Sequence, residues 1–213
     1  DAGVEGAPFV SAEYPLDLDH FTLDLERGRP SPELSWFDGR IALPIRPGGP
    51  ATYLIASNAR LPVEMLRGLL GAEPGPGDLD VARRPPGLDL TPSHPLRARV
   101  GDALELVGYD LQDAVKPGEE ARAILYWRIL GRPSADLSLF VHLIGGLGSL
   151  WGQRDGLGFP IAGWQPGDLL VQWHDARVPV GTPPGELAVE AGADRRDDGG
   201  RLPVQLAGAG QPD

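Results

Sequence analysis

Residues 116–130 read KPGEEARAILYWRIL, and this stretch decides the fold class of the chain. It begins with the tetrapeptide Lys116-Pro117-Gly118-Glu119, in which proline at the second position and glycine at the third fit a type II turn. Apolar residues then recur at every second position, at Ala123, Leu125, Trp127 and Ile129. A period of two is typical of a β-strand with one face against a core. The stretch therefore predicts a turn followed by a half-buried strand.

The same alternation recurs on both sides of this strand, from residue 100 to the end of the chain. The other alternating apolar positions are Leu104 and Leu106; Leu137, Leu139, Val141 and Leu143; Leu169, Val171 and Trp173; Leu187, Val189 and Ala191; and Leu202, Val204 and Leu206. Turn signals rich in Pro and Gly separate them at residues 165–168, 183–186 and 198–200. Short strands at this spacing predict a β-sandwich over residues 100–213, immunoglobulin-like or jelly-roll-like, with about six to eight antiparallel strands. Trp127 and Trp173 share the parity of aliphatic residues in their strands, so both are expected in the core.

The first 82 residues have a different pattern, in which strand-like and helix-like segments alternate. Strands are predicted at residues 7–14, 33–37, 41–45, 51–57 and 79–82. Helices are predicted at residues 16–25, which have apolar residues at helical spacing, and after Pro62, where an apolar stripe ends at Gly71. We therefore expect a small α/β domain at residues 1–82. A Pro-rich linker at residues 83–99 would join this domain to the sandwich.

Composition narrows the classes of partner and site. The net charge of −11 argues against nucleic acid as a partner, because binding a phosphate backbone needs clustered Lys and Arg. The 30 glycines and 23 prolines fit a turn-rich β protein, since 41% of the residues are hydrophobic and alternate regularly. The absence of cysteine excludes disulfides, thiolate metal sites and cysteine nucleophiles. No apolar run reaches the ~18 residues of a membrane helix.

The sequence lacks the common catalytic and cofactor motifs. It has no zinc-type histidine spacing and no GxSxG, Walker or GxGxxG motif, so we expect no catalytic residue, no metal and no cofactor. His142 lies opposite the leucines of its strand and is interpreted as a hydrogen-bonded sheet residue. His174 and Asp175 are neighbours on one strand and point to opposite faces, which hinders direct pairing. A hydrolase that uses Asp155, His174 or Asp175 is therefore the last of the functions to consider.

A group of aromatic and polar residues in the second half of the chain indicates a ligand site. Trp151 and Trp164 lie in loop-like sequence, and Gln153, Arg154 and Asp155 lie beside the first of them. Sugar sites on β-sandwiches stack an exposed aromatic ring on the pyranose face and bind the hydroxyls with amide, carboxylate and guanidinium groups. These five residues are therefore the candidate carbohydrate-binding residues. The alternative for the two tryptophans is core packing.

Several phrases of the sequence resemble one family of membrane proteins. The phrases are LELVGYDL at residues 104–111, the block at 116–130, LFVHL at 139–143, GWQPGDLLVQWH at 163–174, VPVGTPPGELAVEAG at 178–192 and RLPV at 201–204. Together they are similar to the soluble C-terminal β-domain of bacterial membrane glycosyltransferases of family 39. These enzymes are relatives of the protein O-mannosyltransferases and of the lipid A aminoarabinose transferases. ELSWFDGRIALPI at 33–45 and ATYLIAS at 51–57 look like the α/β segment that follows the last transmembrane helix in such proteins.

The resemblance implies a location outside the cytoplasm and a membrane-anchored parent chain that transfers a sugar from a polyprenyl-phosphate donor. The catalytic carboxylates of this family lie in an early extracytoplasmic loop that has no counterpart here, so no catalytic residue is carried over. The chain would be a non-catalytic accessory region that binds a glycan or glycosylated acceptor, or packs against the membrane-embedded domain of the same parent chain. The alternative is a free-standing secreted or surface module for carbohydrate binding or adhesion.

Overall fold

The computed structural model describes residues 8–12, 34–85 and 90–206 of the chain. The strands in these ranges are β1 (Phe9–Ser11), β2 (Ser35–Phe37), β3 (Ala42–Ile45), β4 (Ala51–Ala56), β5 (Leu79–Arg84), β6 (His94–Val100), β7 (Leu104–Leu111), β8 (Glu120–Ile129), β9 (Leu137–Ile144), β10 (Leu150–Gly156), β11 (Leu169–Arg177), β12 (Ala188–Arg195) and β13 (Val204–Leu206). The α-helix of the described ranges, α1 (Val63–Leu70), lies between β4 and β5. The described part of the chain is therefore mostly β-structure.

The strands form three sheets, which together give a sandwich-like arrangement. The first sheet has the order β2–β1–β4–β5, the second β10–β9–β12, and the third β13–β6–β7–β8–β11–β3. All pairs of the second and third sheets are antiparallel, as predicted for the second half of the chain. In the first sheet, β1 runs parallel to both β2 and β4.

One part of the core lies between the second and third sheets, and the same cluster continues to buried side chains of the first sheet and α1. The alternating apolar residues of β8, from Ala123 to Ile129, and those of β9, from Leu137 to Leu143, are each at most 3% exposed. Because β9 packs across β11, these two rows of side chains meet between the sheets. Trp127 and Trp173 are 0% and 1% exposed, which confirms the prediction that both are buried. Trp127 lies opposite Leu170 and Trp173 opposite Ile124, so the two rings leave opposite faces of the third sheet.

Pro-Gly turns precede β8 and β11 as predicted. Gly118 and Gly167 have φ angles of +92° and +94°, the left-handed conformation that a type II turn needs at its third residue. The amide of Asp168 donates a 3.0 Å hydrogen bond to the carbonyl of Gln165, which closes the second turn. These turns set where each long strand begins.

One strand before β6 belongs to the same sheet as strands of the second half of the chain. Helix α1 follows Pro62 and ends at Gly71, whose φ is +63°, as the sequence predicts. However, β3 pairs with β11 in the third sheet, where Leu43 lies opposite Val171. A distinct N-terminal α/β unit is therefore not shown. The helix predicted at residues 16–25 lies outside the described residues.

The sequence pattern misses two strands. β6 lies in the segment expected to be a linker, and β10 contains Trp151, which was expected in a loop. β6 includes Pro95 and an irregular register between Pro95 and Ala98, and β10 is rich in glycine and charged residues. Neither strand therefore shows the regular alternation that identifies a strand in a sequence. The domain boundaries drawn from the sequence stay a prediction.

Candidate functional site

The outer face of the second sheet carries a row of polar side chains across its three strands. Gln153 on β10, His142 on β9 and Glu190 on β12 are direct cross-strand neighbours. Residues that lie opposite each other in antiparallel strands point to the same face. The leucines of β9 point the other way, into the core. We call this surface, together with Phe140, Asp155 and Arg201, which adjoin the row, the polar face.

The next row on the polar face contains Asp155, Phe140 and Gly192. Phe140 is only 3% exposed although it points away from the core. The guanidinium of Arg201 covers it, with Cζ 4.8 Å from the centre of the ring. A Cβ atom at Gly192 would lie 2.8 Å from Cζ of Phe140. Glycine at this position therefore makes room for the aromatic ring beneath Arg201.

A hydrogen-bond network fixes the side chains of the polar face. Arg201 donates to the Glu190 carboxylate over 2.6 Å and to Nδ1 of His142 over 3.1 Å. Because a guanidinium has no acceptor, Nδ1 carries no proton, and neutral His142 carries its proton on Nε2. Nε2 lies 3.6 Å from Oδ1 of Asp155, and the ring stacks on Phe140 at 4.4 Å between ring centres. The imidazole and the guanidinium are therefore held in place before any ligand binds.

A cleft with a volume of about 380 Å³ opens beside the polar face. Asp155 and Ser138 line the cleft, and both also lie on the outer side of the second sheet. The other walls are formed by Asp38, Ile41, residues 156–160 and Arg196. Asp38 is paired with Arg40, with Oδ2 2.8 Å from Nη2. A volume of this size is in the range of small-molecule sites, so the cleft and the polar face can form one continuous site around Asp155.

The structure places two of the five predicted binding residues on the polar face. Gln153 and Asp155 are exposed there, two positions apart on β10. Arg154 lies between them and belongs to the opposite parity, so its side chain leaves the other side of the strand. Its carbonyl oxygen lies 3.0 Å from Nδ1 of His174. Arg154 therefore contacts the third sheet through its backbone rather than joining the polar face.

The two candidate tryptophans have different surroundings. Trp151 is partly exposed at the start of β10, and its indole lies against Gly145, where a Cβ atom would overlap the ring. Trp164 is 5% exposed, and its Nε1 donates a 2.9 Å hydrogen bond to the carbonyl of Phe159. Trp164 is thus a core side chain, which was the alternative considered for it. Trp151 keeps the only partly exposed ring of this pair.

His174 and Asp175 lie on opposite faces of β11, as the sequence predicts. Asp175 accepts hydrogen bonds of 2.6 and 2.8 Å from Arg122, which also contacts Glu64 of α1. His174 is 3% exposed, and burial lowers its pKa to about 4, so the ring is neutral at pH 7. The two side chains are therefore engaged separately and do not form an acid–base pair.

The binding residues predicted from the sequence do not include Phe140, Glu190 or Arg201. A signal existed for Glu190, because the apolar alternation at Val189 and Ala191 puts it on the opposite face of its strand. No comparable signal exists for Arg201. It reaches the polar face after a tight reversal of the chain, where Arg201 forms an antiparallel bridge with Asp194 of β12.

Metal-binding groups and similarity to known proteins give no further information on the site. Within residues 8–12, 34–85 and 90–206, no group of three or more His, Cys, Asp or Glu side chains is arranged to hold a metal ion. In the same ranges no helix is long and apolar enough to cross a membrane. Comparisons with protein-family models, curated protein sequences and solved structures find no match. The function is therefore argued from the residues of the site.

Proposed function

We propose that this chain is a non-catalytic accessory region that binds carbohydrate on the polar face. The observation that supports the proposal is the row of Gln153, His142 and Glu190 with Arg201 bonded to the last two. This row adjoins the cleft at Asp155. It presents amide, imidazole, carboxylate and guanidinium groups on one surface. Such a set both donates and accepts hydrogen bonds, as the hydroxyl groups of a sugar require.

The central groups of the network are already ordered, which favours the binding of a hydroxyl-rich ligand. Arg201 and His142 are fixed by their contacts with Glu190 and Phe140, so little side-chain entropy is lost on binding. The side chains of Asp155 and Glu190 remain 42% and 44% exposed, which leaves carboxylate oxygens free to accept from hydroxyls. A sugar ring in the cleft would contact Asp155 while its neighbour lies across the polar face.

The proposal for the larger protein comes from the sequence resemblance. We propose that the region belongs to a membrane-anchored glycosyltransferase-like chain of the family 39 type and lies outside the cytoplasm. Its partners would be a glycan or glycosylated acceptor and the membrane-embedded domain of the same parent chain. The finer architecture proposed with it is a small α/β unit before an immunoglobulin-like or jelly-roll-like sandwich. The supporting features are the phrases at residues 33–57 and 104–204.

Calorimetric titration with oligosaccharides selected on a glycan array tests the binding proposal. Gln153→Ala is expected to weaken binding about tenfold, because it removes one or two hydrogen bonds to the ligand at an exposed strand position. Gln205→Ala is the matched control, since Gln205 is also exposed, on β13. Failure to bind any oligosaccharide, or equal losses in the two variants, would contradict carbohydrate binding on the polar face.

Fractionation of source cells tests the proposal for the parent chain. An antibody against this region should detect a band much larger than the chain itself, retained with the membrane until detergent is added. A soluble band of the chain's own size would contradict the membrane-anchored parent. It would favour the free-standing surface module instead, with the polar face still available to glycans.

A further inference from the structure

Strand β10 carries the exposed part of the proposed site, yet it is held by a ladder on one side only. In the described ranges it is an edge strand of the second sheet and pairs with β9. Edge strands have a row of backbone carbonyl and amide groups without ladder partners. The positions of Gln153 and Asp155 on the polar face therefore depend on the ladder with β9 and on the contacts that the free side of β10 makes.

Two buried polar side chains of β11 contact the free side of β10. His174 Nδ1 lies 3.0 Å from the carbonyl oxygen of Arg154. Gln172 Nε2 donates to the carbonyl oxygens of Gly156 and Leu157 over 3.3 and 2.7 Å. His174 and Gln172 are 3% and 1% exposed, and their bonds to β10 are partly buried. They join the second sheet to the third where no ladder does.

These contacts lie on either side of Asp155. The Arg154 carbonyl belongs to the peptide unit that precedes Asp155, and the Gly156 carbonyl follows it along the strand. Residues 154 and 156 have the same parity, so their carbonyls point to the same side of β10. We propose that His174 and Gln172 are positioning residues that fix Asp155 and Gln153 for ligand binding. This inference rests on the proposed function of the polar face.

The chemistry of the His174 ring makes its contact with β10 sensitive to protonation. A carbonyl only accepts, so Nδ1 carries the proton of the neutral ring, and Nε2 is buried without a hydrogen-bond partner among the described residues. The charged groups that act on the ring are Arg154 and Asp155 on β10 and Asp175 on its own strand. Protonation would bury a second N–H with no acceptor, which disfavours the closed arrangement.

Amide hydrogen exchange of the ligand-free protein tests the positioning role. His174→Leu removes the donor to Arg154, and we expect exchange of the β10 amides, corrected for intrinsic rates, to rise about tenfold at pH 7. His174→Asn places an amide N–H where Nδ1 lies, so it should restore wild-type protection to within about twofold. His94→Leu and His94→Asn are the matched controls, since His94 is exposed on β6. Neither should change the exchange rates of the β10 amides.

The pH profile of β10 exchange, compared with that of the β12 amides, gives a readout that a loss of global stability would not produce. Wild-type β10 should lose protection as the pH falls from about 6.5 to 4, whereas His174→Asn should not, because its side chain does not titrate. Unchanged β10 exchange in His174→Leu, or equal pH profiles in wild type and His174→Asn, would overturn the positioning role. If His174→Leu does not fold, the pH comparison with His174→Asn still decides.

Glycan affinity separates this inference from the proposed function. For an oligosaccharide that binds the wild-type protein, His174→Leu should weaken binding several-fold and His174→Asn should restore it. Absence of binding in the wild type would refute the proposed function. The exchange experiment is done without ligand, so it tests separately whether the contacts of β11 stabilise β10. If the β10 amides exchange faster in His174→Leu but its glycan affinity equals that of wild type, the role of His174 in positioning the site is overturned.

Discussion

Phe140 points to the outer side of the second sheet, yet its side chain is almost fully buried. Its ring lies between the sheet and the guanidinium of Arg201, and Gly192 on the neighbouring strand leaves the space it occupies. The ring in turn supports His142, which stacks on it. Glycine at residue 192 therefore leaves room for the ring that supports the network of the polar face.

A substitution at Gly192 tests this arrangement. We expect Gly192→Ala to lower the free energy of unfolding by about 1–3 kcal/mol, because the new methyl group would press on Phe140 at 2.8 Å. Gly181→Ala is the control, since a Cβ atom there meets no atom within 4 Å, and its effect should stay within about 0.5 kcal/mol. Urea unfolding of both variants measures the difference. Equal stabilities would mean that the ring moves away at no cost.

Alternation in the sequence predicts which side of a strand a residue takes, and little about its partners. It places His142 opposite the leucines of β9 and Trp127 in the core between the sheets, as the structure has them. Trp173 is buried as predicted, but on the other face of the third sheet, because β11 is covered on both faces. It does not predict that Phe140 is buried on the outer side, because the residue that covers it, Arg201, is 61 positions away in the numbering. Contacts of this range depend on the fold and not on the local pattern.

The two longest strands of the third sheet, β8 and β11, each begin after a turn that depends on one glycine with a positive φ. Gly167 has a φ of +94°, a conformation in which any residue with a Cβ atom is strained. The next residue, Asp168, is 1% exposed and pairs with Arg46, whose Nε lies 3.3 Å from its carboxylate. The turn therefore also positions an ion pair between β11 and the segment after β3.

Replacement of the turn glycine tests its conformational role. We expect Gly167→Ala to lower the free energy of unfolding by about 1 kcal/mol or more, through backbone strain. Gly131→Ala is the control, since Gly131 does not have a positive φ and a Cβ atom there meets nothing within 4 Å. Thermal or urea unfolding compares the two. A Gly167→Ala protein as stable as Gly131→Ala would contradict the type II turn.

Elements with strong local signals were predictable, and elements that depend on their neighbours were not. Helix α1 has Pro62 before it and Gly71 after it, so its bounds follow from the sequence. β10 has no such signal, because its polar side chains face outward and its free side is held by Gln172 and His174 of another strand. The same lack of alternation hides β6 in the segment expected to be a linker.

Across the whole molecule, ion pairs link parts of the chain that the sequence pattern treats as separate. Arg122 on β8 contacts Glu64 on α1 and Asp175 on β11, and Arg46 pairs with Asp168. Tyr53 on β4 donates a 2.9 Å hydrogen bond to the carbonyl of Pro44 on β3. These contacts join residues 9 to 122 positions apart, so composition and periodicity could not predict them.

The buried His174 makes the stability of the whole molecule depend on pH. Burial lowers its pKa from 6.5 to about 4, so between these values the unfolded chain binds a proton that the folded chain does not. Its contribution is therefore complete above about pH 6.5 and is lost as the pH falls towards 4, on the order of 3 kcal/mol. Urea unfolding between pH 7.5 and 4 should show a shallower loss for His174→Asn than for wild type. Parallel curves would contradict this role of His174.

Carbohydrate binding by the polar face can be measured by NMR titration of the ¹⁵N-labelled chain with an oligosaccharide. We expect saturable amide shifts at Gln153 and Asp155 on β10 and at Glu190 on β12, with further shifts along the cleft at residues 156–160. Shifts confined to other surfaces, or no shift with any oligosaccharide of the panel, would contradict it.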